Sequence, residues 1–246
     1  MIKTKTTIET YNALIELLKK ESKVYYSRFG DGDFFIMNGR QQRNQEYSKN
    51  MENELIESFN IDHLHYIKGA AINYEKEEGM YKGVFEPYGM NDEMVRWLIT
   101  NPKINVKGNE VYYNAIMPHY LYVFKPELMI TFLDNYIRPK RKMFIGSVPK
   151  KEIEGMVGSI DYYVEVPNKN AYNTIDMWWN NVLKHIDDVE LCLPAAGLTT
   201  RVIQKRLWNM NKVLHSIDLG SVVDAFVGIQ SRTWIQKEGN RIKLLK

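Results

Sequence analysis

The chain has 246 residues, 44% of them hydrophobic and 26% charged, with 33 basic and 30 acidic side chains and a formal net charge of +3. That size and apolar content fit one globular domain with a substantial core, two small domains being the alternative. The near balance of charge excludes the strongly basic face of a nucleic-acid-binding protein, while leaving room for a local anion site.

Residues 1–20 are amphipathic rather than an apolar signal core, with Ile8, Ala13, Leu14, Leu17 and Leu18 at near-helical spacing behind Thr6 and Thr7. They predict a first helix ending near Lys20. No stretch approaches the roughly 20 apolar residues of a membrane helix, so a soluble protein without a membrane span is expected. Residues 24–27 read as a strand that stops at Arg28-Phe29-Gly30-Asp31-Gly32-Asp33, where two glycines permit a turn. The middle third predicts helices over 51–59, 92–100 and about 127–136, and residues 60–125 read as an insertion or acceptor-side region in which Tyr74, Tyr81, Tyr88 and Tyr113 are available to line a site.

From residue 142 onward strands and helices alternate. Strands are predicted over 142–146, 162–166, 189–193 and 213–217, with helices over 150–157, 174–185 and 199–210. The single cysteine, Cys192, lies in the third of these apolar runs and reads as a buried structural thiol, and the lack of any disulfide framework suits a reducing, cytoplasmic setting. Strand, helix, strand in series implies parallel pairing with right-handed crossovers, hence an open Rossmann-like sheet whose ligands lie beyond the carboxyl ends of its strands.

Four segments at predicted strand ends can carry chemistry. Asp31 and Asp33 flank a glycine and can turn two carboxylates toward a hard cation, magnesium or manganese, or else bond local amides in a turn. An EF-hand does not fit, because Phe35 and Gln42 replace two of its oxygen ligands, and an aspartyl-phosphate phosphatase would need an apolar strand leading straight into the first Asp. In Leu193-Pro194-Ala195-Ala196-Gly197-Leu198-Thr199-Thr200-Arg201 a strand passes through small residues into a helix start, a seat for a phosphate or ribose hydroxyl or a plain cap. It is neither a P-loop nor a dinucleotide fingerprint. Asn168, Asn170 and Tyr172 offer amides and a flat ring suited to a nucleoside, or form an ordinary Asn-rich turn. Asp218 ends the last strand and either faces the same sheet edge or caps the next segment.

In this order the segments resemble the GT-D glycosyltransferases, a family formerly catalogued as a domain of unknown function. The resemblance rests on Ser27-Arg28-Phe29-Gly30-Asp31-Gly32-Asp33, Pro167-Asn168-Lys169-Asn170-Ala171-Tyr172, Ala196-Gly197-Leu198-Thr199-Thr200 and Asp218-Leu219-Gly220, and spans roughly residues 24–226. It implies a UDP-sugar donor, a manganese or magnesium ion on Asp31 and Asp33, and a glycan or glycoprotein acceptor. The chain departs from the family pattern in three places: Asp33 stands for a Glu, Ser221 for a His, and Met117-Pro118-His119 for a Ser/Thr-Arg pair.

On that reading Arg28, Gly30, Asn168, Asn170, Tyr172, Gly197, Thr199 and Thr200 bind the nucleotide sugar, the metal stabilises the leaving nucleotide, and Asp218 or Asp224 is the base toward the acceptor. A non-catalytic nucleotide-sugar-binding protein and a metal-dependent phosphoryl or nucleotidyl transferase use the same sheet edge. His63 and His65 are expected on a surface strand, Trp178 and Trp179 in the core, and Lys140-Arg141-Lys142 at a solvated strand entrance.

Overall fold

The structure is a computed structural model and describes residues 3–70, 92–105 and 111–238. The described residues form one parallel sheet of β1 (Lys3–Thr4), β2 (Val24–Phe29), β3 (Tyr66–Ala70), β4 (Val111–Asn114), β5 (Lys142–Gly146), β6 (Tyr162–Glu165), β7 (Leu191–Ala195) and β8 (His215–Ile217), in the spatial order β1-β4-β3-β2-β8-β7-β5-β6. The helices are α1 (Thr7–Lys19), α2 (Asp31–Met37), α3 (Lys49–Phe59), α4 (Asp92–Thr100), α5 (Met117–Phe124), α6 (Pro126–Phe132), α7 (Lys150–Val157), α8 (Ile175–His185), α9 (Thr199–Asn209), α10 (Val222–Val227) and α11 (Thr233–Glu238). α6 runs on into a π-helical turn over Leu133–Ile137. None of the described helices is long and apolar enough to cross a membrane.

Successive strand side chains point to opposite faces, so each strand feeds two cores. Val24 and Tyr26 of β2, Phe144 of β5 and Leu191 and Leu193 of β7 join α1, α5, α7 and α10 on the first face. Tyr25 and Phe29, Met143 and Ile145, and Cys192 join α3, α8 and α9 on the second. Because helices cover both faces, the strands read as continuous apolar runs rather than as alternating patterns. Cys192 is fully buried, as expected, and burial pushes its thiol up from the ordinary value.

The chain leaves β2 through α2 and α3 on the second face and leaves neighbouring β8 through α10 on the first. Adjacent strands with connections on opposite faces open a crevice beyond their carboxyl ends. That crevice lies between β2 and β8.

Several expectations are corrected. The stretch 60–125, read as an insertion or acceptor-side region, contains β3 and β4 of the sheet, paired from Tyr25↔Tyr66 to Phe29↔Ala70 and from Gly69↔Tyr113 to Ala70↔Asn114. Lys68 and Gly69 interrupt the apolar pattern of β3, and the Lys68 ammonium lies over the Phe59 and Tyr112 rings at 5.4 and 5.5 Å, which makes a buried cation tolerable there. Asp31-Gly32-Asp33 is not a turn but the opening of α2, because the Asp33 carboxylate accepts the Gly30 N–H at 2.8 Å and Phe34, Ile36 and Met37 bury their side chains behind it. β8 starts two residues later than predicted, after Asn211 and Val213 take positive φ of 53° and 52°. His63 and His65 lie in the segment that turns into β3, not on a strand, with the His63 ring 5.0 Å from Trp208. Trp178 is core, while Trp179 is only half-buried. Lys142 is buried rather than solvated, its ammonium donating to the carbonyls of Arg138 and Ser159 at 3.1 and 2.8 Å. Tyr74, Tyr81 and Tyr88 lie outside the described residues.

Candidate active site

The register of β2 and β8 brings two charged side chains out together. The Asp218 N–H donates to the Tyr26 carbonyl at 3.1 Å, extending the ladder one residue beyond β8 and setting Asp218 beside Arg28. Arg28 Nη1 lies 3.5 Å from Asp218 Oδ1, and Arg201, in the first turn of α9, sets Nη1 3.1 Å from Asp218 Oδ2. Arg201 Nε then lies 3.1 Å from Asp33 Oδ1. The result is a chain of alternating charge, Arg28, Asp218, Arg201 and Asp33, contributed by β2, β8, α9 and α2. All four side chains are at most 10% exposed. Two guanidinium groups against two carboxylates is the charge balance that burial requires.

Local geometry holds each member. Asp218 Oδ1 also accepts the Gly220 N–H at 2.7 Å, and Arg201 Nη1 donates to the Gly197 carbonyl at 3.0 Å. Burial pushes the Asp33 carboxyl up to about 6; Arg201 and the Gly30 amide oppose the rise, and Asp218 and Asp31 add to it. Asp33 Oδ1, Arg201 Nε and Asp218 Oδ2 are buried and in ionic contact but not aligned as hydrogen bonds. Their bonding capacity is only partly used.

Arg28 is gripped from its other side. Its Nε donates to the Ala115 carbonyl, and its Nη2 lies 3.1 Å from His119 Nδ1. His119 Nε2 lies 3.1 Å from Ser221 Oγ, which also accepts the indole N–H of Trp234 at 3.0 Å. Burial, then the charges of Arg28 and Arg232, hold His119 well below the usual imidazole range, so it is neutral. A guanidinium can only donate; Nδ1 is therefore the acceptor and Nε2 carries the proton given to Ser221.

The remaining predicted residues fall in different places. Asp31 is exposed, and its Oδ1 accepts the Gly32 N–H at 2.8 Å. Gly30 is the N-cap of α2. Gly197 is exposed with φ 60°. Thr200 Oγ1 accepts the Ala196 N–H at 3.1 Å and closes the turn into α9, whereas the Thr199 hydroxyl is buried without a hydrogen-bond partner. Asn168 is exposed. Asn170, at φ 55°, accepts the Glu46 N–H at 2.8 Å, and the Tyr172 hydroxyl donates to Glu54 at 3.0 Å. These last three follow β6, which β7 and β5 separate from β8. Asp224 sits half-buried on α10, where burial raises its carboxyl and the Ser231 hydroxyl donates to it. Tyr113 packs half-buried beside the first core.

Arg201 was not singled out from the sequence. Its only signal was its place in the first turn of a helix following a strand and a glycine turn.

A divalent cation finds one suitable side chain in this arrangement. Asp31 presents an exposed hard-oxygen carboxylate, while Asp33 is turned inward onto Gly30 and Arg201. Among the described residues no three His, Cys, Asp or Glu side chains converge to form a closed metal site.

No family model matches the chain, and no curated protein matches it. Solved structures do resemble it. A glycosyltransferase (DUF1792) from Streptococcus sanguinis superposes with a TM-score of 0.68 at 16% identity, over 96% of this chain and 85% of that one. A selenomethionine-substituted domain of unknown function 1792 gives 0.66 at 16% identity, over 97% and 82%. A third structure, described as showing that this domain has a distinct glycosyltransferase fold, gives 0.66 at 16% identity, over 90% and 79%. The chain therefore has the fold of the DUF1792 structures.

Proposed function

We propose that the chain is a glycosyltransferase that moves a sugar from a nucleotide diphosphate donor, a UDP-sugar, to a glycan or glycoprotein acceptor. The observation that carries this reading is the buried Arg28, Asp218, Arg201 and Asp33 network at the switch point of a fold shared with structures described as glycosyltransferases. The exposed turn at Gly197, at the start of α9, would receive the donor phosphates or ribose, with Arg28 and Arg201 ion-paired to Asp218 and Asp33 behind it. Asp218, committed to both guanidinium groups, orients them. Asp224 would take the proton of the acceptor hydroxyl, being half-buried with a raised carboxyl.

Asp31 is the side chain that would hold manganese or magnesium, with donor oxygens and water filling the other positions. When bound, the ion supplies charge neutralisation on the departing diphosphate.

The test is turnover of a panel of UDP-, GDP- and CDP-sugars with and without manganese, in wild type and in Asp31→Asn. Metal-dependent cleavage of one donor, lost in the variant, is the expected result. Binding without cleavage would instead make the chain a nucleotide-sugar-binding protein, and release of pyrophosphate a nucleotidyl transferase.

A further inference from the structure

We propose that the open cavity lined by the amino-terminal halves of α3 and α8 and by Arg206 of α9 is a saccharide-binding subsite for the acceptor, an assignment that rests on the glycosyltransferase reading. The cavity has a volume of about 610 Å³, within the range of small-ligand sites. Its wall combines two phenol rings, Tyr47 and Tyr172, with the amides of Asn50 and Asn53 and the carboxylate of Asp176. Flat rings pack on the apolar face of a sugar, while amides and carboxylates bond adjacent hydroxyls.

Charge argues against the donor diphosphate in this place. The ionic side chains of the wall are Glu54 and Asp176 against Arg206, two negative and one positive. Arg206 is already committed: its Nη2 and Nε donate to Glu54 at 2.6 and 2.9 Å, and its guanidinium lies 5.4 Å from the Trp179 ring centre. Glu54 in turn takes the Lys205 ammonium at 3.0 Å and the Tyr172 hydroxyl at 3.0 Å. This leaves a wall whose one cation is ion-paired, suited to a neutral, hydroxyl-rich ligand.

The cavity and the crevice at β2 and β8 share α9, the cavity lying farther along the helix. Arg201 of the buried network and Arg206 of the cavity wall lie on the same helix, five residues apart, or roughly 7.5 Å along its axis. The segment 42–47 joins the two places as well. A Cβ at Gly32, in the first turn of α2, would lie 3.2 Å from Gln42, and five residues on Tyr47 lines the cavity. Between them Gln45 and Glu46 are tied to Asn173 by hydrogen bonds of 3.0 Å each. A saccharide seated here can extend one end toward the donor.

Saturation-transfer NMR with the methyl glycosides of glucose, galactose, mannose and N-acetylglucosamine tests the assignment on wild type, Tyr47→Ala and Asp176→Asn. Asp176 is exposed and the Tyr47 side chain is 37% exposed, so both variants should fold, which UDP titration and thermal melting check. Wild type is expected to bind at least one glycoside, and each variant to weaken that binding about fivefold or more, with UDP binding unchanged. No glycoside binding by wild type, or binding that neither variant weakens, would overturn the subsite. Donor cleavage without glycoside binding would do the same while leaving the transferase reading intact. Glycoside binding at this cavity by a protein that cleaves no nucleotide sugar would sink the transferase reading instead.

Discussion

Gly220 lies directly against the Arg28 guanidinium: a Cβ built on Gly220 would sit 1.6 Å from Arg28 Nη1. Its φ of 60° is also one that a side chain strains, so both the space and the backbone at this position call for glycine. Gly220→Ala should drive Arg28 away from Asp218, lowering kcat/KM for donor cleavage by about a hundredfold and stability by about 1–3 kcal/mol. Steady-state kinetics and a thermal melt check both; wild-type turnover would show that Arg28 need not hold this position.

Arg201 touches both buried carboxylates, Asp33 and Asp218. Arg201→Met removes the shared cation, leaving Asp33 without an ionic partner in the interior and Asp218 with Arg28 alone. Urea denaturation should show a loss of about 3–5 kcal/mol. A loss below about 1 kcal/mol would mean that the two acids find other partners.

The two acids of Asp31-Gly32-Asp33 should separate on substitution. Asp31 is exposed and accepts the Gly32 N–H of its own turn, so Asp31→Asn is expected to abolish manganese binding with little change in melting temperature. Asp33→Asn removes charge from a carboxylate facing Arg201 and should lower stability clearly, by about 1–3 kcal/mol. Water-proton relaxation with manganese, run beside the melts, distinguishes the two; equal effects of both variants on both readouts would reject the division of labour.

His119 sets a pH dependence. Its folded-state value lies well below the ordinary 6.5, so the unfolded chain binds the proton more readily. Its contribution is therefore full above about 6.5 and is lost as pH falls below that value. His215, lowered chiefly by burial, acts with the same sign. In His119→Gln the His119 share of the fall in stability between about pH 6.5 and 5 should disappear, leaving the opposed contributions of His215 and of Asp33, whose carboxyl burial raises to about 6. An unchanged slope would mean that His119 is not held neutral by Arg28 and its burial.

Much of the fold was legible because it is written in local patterns. The capping Thr6 and apolar spacing of α1, the identical bounds of α4, and the strand and helix alternation from β5 to α9 follow from periodicity and helix-end chemistry. The residues at strand ends, Arg28, Asp31, Gly197 and Asp218, were also identifiable, since a parallel α/β sheet carries its chemistry there.

Other features depend on partners distant in the chain. β3 and β4 are strands because β2 and each other complete their hydrogen bonds, not because Lys68, Gly69 or the four residues of β4 announce one. Local capping turns Asp33 onto the Gly30 N–H, but its ionic partner, Arg201, stands 168 positions later and is brought to it only by the fold, while Asp31 stays in water. His119 and Ser221 likewise meet only because the sheet order sets α5 against the turn after β8. Hydrophobic spacing and capping act over a few residues, so most elements other than β3 and β4, and the edge at which they present their polar residues, could be read from the sequence. The tertiary structure alone decided which charges meet, because a buried charge takes its partner from the space around it.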